Sequence, residues 1–281
     1  MKKLLGIIFL MLVALLGIIF LVGKSLSFPM ITAIILLFLS SSLVLIYSHK
    51  KGDEKIDVSF VSNGKCSSLC VLMSLIMLVI GIYDLIMSIV SKSGPLYIVL
   101  AAFTMLAAGV LFFMSRCHAK GENVYELHPI FALFPSIWAF LRLIVVFNEF
   151  STVSLARTNP VYFIAVIALL LFFFEEAKIL VPVNRLYYPY NKLVIYGIFS
   201  SVFIISYSIP SIIYSFIETS YSYASVAWTT CIMDISIALY IISVIFDTTN
   251  RLKAKNAEVA SKASEENQDQ SNESDEGPNL I

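Results

Sequence analysis

Charge is scarce in this sequence of 281 residues: 14% are Asp, Glu, Lys or Arg, against roughly 25% in soluble domains. That shortage excludes an ordinary water-facing surface, and with a formal net charge of zero no overall excess of positive charge points to nucleic acid. Histidine and cysteine are rare too, at three and four residues. His49, His118 and His128 all fall outside the apolar runs, which removes the histidine that a Ser–His protease inside a membrane requires. No G-x-x-x-x-G-K-[ST] loop occurs, so an ATP-driven cycle would need a separate subunit. Long polar stretches are missing before the C-terminus. The longest connection, 48–65, is too short to build a core of its own.

What the chain has instead is apolar length. Hydrophobic residues make up 59% of it and fall in blocks that are apolar all round, the pattern of bilayer spans. A hydrocarbon layer about 30 Å thick takes roughly 20 residues at 1.5 Å each. Eight blocks qualify: 4–22, 30–47, 66–90, 96–114, 129–147, 161–181, 193–217 and 223–246. The expected fold is an all-α polytopic membrane bundle of eight helices over 1–247, its partner being the lipid bilayer. Residues 248–281 turn basic and then acidic, lack apolar periodicity and are expected to be a disordered tail. Such a tail is a candidate contact for a cytoplasmic protein.

Basic residues orient the bundle. With the N-terminus cytoplasmic, one side collects Lys2, Lys3, Lys50, Lys51, Lys55, Lys65, Arg116, Lys120, Lys178, Arg185, Lys192, Arg251, Lys253, Lys255 and Lys262. The other holds Lys24, Lys92 and Arg157. Cytoplasmic loops are the basic ones, so both termini are expected inside. A wrong helix count would swap later loops and erase this contrast. Block 4–22 exceeds the usual 7–15 residues of a signal core and lacks a small-residue cleavage site, so it is expected to stay as a helix.

Three charges stand deep in the apolar blocks: Asp84, Arg142 and Asp234. Each costs on the order of 2.5–3.5 kcal/mol to insert, which makes it a functional candidate. At helical rise, Asp84 and Arg142 lie roughly 9 Å below the outer boundary and Asp234 roughly 16 Å, so Arg142 is expected to bridge either aspartate. Ser201, Ser208, Ser211 and Ser215 follow one face of the seventh block, Pro210 interrupts it, and Thr230 precedes Asp234 by a turn. The candidate site is a polar cavity in the outer half, lined by Asp84, Arg142, Ser208, Ser211 and Asp234. Glu175 and Glu176 end an apolar stretch, 161–174, that is only about 21 Å long. They are expected at the inner headgroups, with Lys178 at ion-pair spacing. Residues 185–192 form an aromatic and basic interfacial anchor.

Enzyme motifs fail. E-E-x-x-x-R of CAAX-type intramembrane endopeptidases meets Leu180 where Arg should stand, and Asp234 lacks the glycines of aspartyl intramembrane proteases. Cys66, Cys70, Cys117 and His118 map near one end, but their spacing does not match C-x₂-C metal signatures. No catalytic set, metal or cofactor is expected. The stretch Phe134-Pro-Ser-Ile-Trp-Ala-Phe-Leu-Arg142, continuing to Phe150-Ser-Thr, resembles a pattern in uncharacterised multi-pass membrane proteins of Gram-positive anaerobes. The resemblance implies a bacterial cytoplasmic membrane and brings no activity. Two readings stay open: a permease-like or ligand-binding domain, and a non-catalytic scaffold or sensory subunit whose buried charges tie helices together.

Overall fold

The computed structural model describes residues 55–57, 68–92, 94–120, 129–152, 160–180, 187–217 and 229–250. Within them stand six helices: α1 (Ser68–Val90), α2 (Pro95–Lys120), α3 (Pro129–Thr152), α4 (Pro160–Leu180), α5 (Tyr190–Ile217) and α6 (Thr229–Asn250). Two short strands, β1 (Lys55–Asp57) and β2 (Tyr187–Pro189), complete the set. The spans expected at 4–22 and 30–47, and the tail beyond 250, lie outside the described residues. Five of the helices, all but α4, are long and apolar enough to cross a membrane. Glu175, Glu176 and Lys178 near the end of α4 set it apart.

α1 explains why this is a membrane bundle. Its buried residues are Cys70, Ser74, Met77 and Gly81, a 4-3-4 spacing that makes one stripe of mostly small side chains. Leu72, Leu75, Val79, Ile82, Ile86 and Ile89 repeat on the other side and are exposed. Small residues inside and large apolar ones outside invert the soluble pattern and match a helix facing lipid. The chain is an integral membrane protein.

The small stripe lets α1 approach α2 closely. A Cβ added at Gly81 would lie 3.1 Å from the backbone N and Cα of Met105, so the two helix backbones nearly touch there. The turn between them is tight. Ser91 N–H and its hydroxyl both donate to Met87 O, and Lys92 takes a φ of 50° as the helix unwinds. The Gly94 carbonyl then accepts the Tyr97 and Ile98 N–H groups, and Pro95 opens α2, where its missing N–H costs nothing.

α6 sits at the centre of the described helices: 61% of its span is buried, against 22% for α1. Gly197 of α5 packs on Ile241 and Ile245 of α6 and on Phe172 of α4. Further along, the Ser201 hydroxyl donates to Ala238 O at 3.3 Å. As α5 numbers rise, α6 numbers fall, so the pair is antiparallel. α3 joins α4 through the edge-on rings of Trp138 and Phe173, 6.2 Å apart. Both α3 and α5 remain helical through an internal proline, Pro135 and Pro210. The expected interruption at Pro210 therefore does not end that helix.

β1 pairs antiparallel with β2 in the register Lys55↔Pro189, Ile56↔Tyr188, Asp57↔Tyr187. The pairing joins the connection before α1 to the one between α4 and α5. Both connections must then lie at one end of the bundle, as alternating hairpins require. The segment expected as an interfacial anchor thus includes a strand.

Candidate functional site: a buried ion pair beside the central helix

Arg142 stands on α3 one helical turn after Trp138, so the two side chains leave the same face. Both are buried, and the guanidinium carbon lies 5.3 Å from the centroid of the Trp138 ring. Arg142 Nη2 meets Asp234 Oδ1 of α6 at 2.6 Å, the pair being 5% and 1% exposed. Nε and Nη2 also donate to the hydroxyl of Tyr162 at the start of α4, with Nε at 2.9 Å. Tyr207 of α5 lies against Tyr162, their ring centroids 4.5 Å apart. One cation thus connects α3, α4 and α6, with α5 behind.

A charged pair in so dry a place persists only if nearly every polar atom is met. Here two are not. Arg142 Nη1 and Asp234 Oδ2 have no hydrogen-bond partner among the described residues, and neither has the buried hydroxyl of Ser208. Ser208 lies seven residues beyond Ser201 on α5, which puts it level with position 231 of α6. That is about 4.5 Å along the axis from Asp234. Asp84 is half-buried on α1, in line with the stripe of Cys70, Ser74, Met77 and Gly81. Thr229 of α6 and Arg142 lie within electrostatic reach of its carboxyl.

Of the residues expected at the site, Arg142 and Asp234 are joined directly, while Asp84 and Ser208 flank them one turn or so away. The side chain of Ser211 is outside the described residues. Of the two possible aspartates, Arg142 takes Asp234. Trp138 and Tyr162 were not among the residues expected there. Trp138 had a visible signal, since it lies one turn from Arg142; Tyr162 had none, because its part depends on which helix stands beside α3.

The chain matches no family model, no curated protein and no solved structure.

Trp138 also fixes the floor of the site. Its Nε1–H donates at 2.8 Å to Thr104 Oγ1 of α2, whose own hydroxyl donates to Leu100 O at 2.9 Å. Trp138→Phe keeps a ring beneath Arg142 and removes that donor. A loss of about 1–2 kcal/mol is expected, checked as a lower unfolding temperature in detergent. An unchanged temperature would mean the bond contributes nothing.

Both acids of α4 are buried. Glu175 does pair with Lys178, at 2.9 Å. Glu176 accepts a hydrogen bond from Tyr240 of α6. Consecutive helical residues point about 100° apart, so the two buried glutamates meet different partners, Lys178 on their own helix and Tyr240 on α6.

Proposed function

We propose that the protein is a permease-like or ligand-binding membrane domain, its eight helices set in a bacterial cytoplasmic membrane with both termini inside. A small polar solute would bind in the outer half among Asp84, Arg142, Ser208, Ser211 and Asp234. The observation that supports this is the pair of unmet atoms, Arg142 Nη1 and Asp234 Oδ2, both buried at the same ion pair. A donor and an acceptor left unmet at one site, with the Ser208 hydroxyl nearby, suit a partner offering both. Exposure of this polarity to lipid would cost several kcal/mol. The acidic tail is a candidate contact for a cytoplasmic protein.

A second reading has its own observation. The three-helix clasp of Arg142, Asp234 and Tyr162 also suits a scaffold or sensory subunit in which the charges are ties. Solvent access separates the two. In a chain whose four native cysteines are replaced by alanine, single cysteines at Asp84 and Ser208 are exposed to an impermeant maleimide outside intact cells. Lys24→Cys and Lys92→Cys serve as controls. Labelling at 84 and 208, slowed by bound solute, is expected for the permease reading. Labelling of the controls alone, in folded protein, would overturn it in favour of the tie.

A further inference from the structure

We propose that Glu176 is a proton-binding site, its carboxyl carrying an exchangeable proton inside the bundle at the junction of α4, α6 and α1. The site is separate from Arg142 and Asp234 and does not rest on the solute-binding reading. Glu176 is 8% exposed. Its Oε1 accepts from the Tyr240 hydroxyl at 3.2 Å. From α1 it is faced by Cys70, which is wholly buried. On its own helix the neighbouring acid, Glu175, is already matched by Lys178, whose ammonium turns outward over the Phe174 ring.

Among the described residues, then, the titratable groups facing Glu176 are a phenol and a thiol, and no cation. Asp234 on α6 has an arginine, while Glu176, packed against the same helix, has only a neutral donor. A buried carboxyl without a cation lowers its energy by taking up a proton. In the protonated state one oxygen still accepts from Tyr240, and the acid O–H is held in the core. On release the proton passes to water and the Tyr240 bond remains to steady the carboxylate. Glu176 lies four residues from the end of α4 at Leu180, about 6 Å along the axis, so that end of the bundle is the exchange route.

The full-length protein in liposomes is studied by infrared spectroscopy across a pH series, in H₂O and D₂O. At neutral pH the wild type is expected to show a protonated-carboxyl C=O band that shifts in D₂O, is absent from Glu176→Gln, and disappears reversibly at alkaline pH. In Tyr240→Phe the same band should move in frequency, because the carboxyl loses its donor. Should Glu176→Gln not fold, the Tyr240→Phe shift, with ¹³C-glutamate labelling to assign it, carries the test. A wild-type band identical to that of Glu176→Gln, or one unmoved in Tyr240→Phe, overturns the proposal. Maleimide access at positions 84 and 208 is read independently, so failure there leaves this result standing.

Discussion

Arg142→Gln is expected to destabilise the protein by about 3–5 kcal/mol, while the double variant Arg142→Gln/Asp234→Asn recovers most of that loss. The single change leaves the Asp234 carboxylate, 1% exposed, without its cation and with Oδ2 already unmet. Removing both charges removes the cost of burying either, and the two amides retain hydrogen-bonding capacity toward each other and Tyr162. The large term is thus the stranded charge, not the pair itself. Reversible unfolding in mixed micelles, run as a double-mutant cycle, gives the coupling directly. If the double variant is as unstable as the single, the clasp acts through shape and the electrostatic account is wrong. If the single variant is harmless, Asp234 does not need the arginine.

Gly81→Leu should part α1 from α2 and cost about 1–3 kcal/mol, or more if the helices cannot separate. The atoms in the way are backbone: Met105 N and Cα at 3.1 Å and Thr104 C at 3.3 Å from a Cβ at Gly81. Backbone cannot rotate aside, so the whole helix must move. Gly81→Ala is a weaker test, because the gain of roughly 1 kcal/mol in helix propensity offsets part of the clash. Gly109→Ala is the control: its added Cβ meets only the tip of the Leu78 side chain, at 3.8 Å, and should be neutral or slightly stabilising. Equal stability of Gly81→Leu and the wild type would show that the close approach is not needed for packing.

Most of the described helices are legible in the apolar blocks of the chain. α1 (Ser68–Val90) and α3 (Pro129–Thr152) fall on the apolar blocks 66–90 and 129–147. Helix ends are less so. α2 runs on to Lys120, six residues past the apolar block, since a helix continues through polar residues once it leaves the hydrocarbon layer. The strand pairing of 55–57 with 187–189 has no local signal: three residues are too few for periodicity, and each strand exists only because the other lies beside it.

The residues of the polar centre show the same division. Arg142, Asp84 and Asp234 declare themselves because a charge in an apolar block is expensive wherever the helix goes. An expected depth is read the same way, from a helical rise of about 1.5 Å per residue. Which charges stand inside apolar blocks depends on one stretch of chain at a time, and the sequence alone determined it. Which aspartate pairs with Arg142, that Tyr162 completes the clasp, and that Glu176 turns inward to Tyr240 were decided by tertiary structure. Each depends on which helices are neighbours and how they are rotated. Many side chains across the bundle sum to set that arrangement, so no single stretch of sequence encodes it.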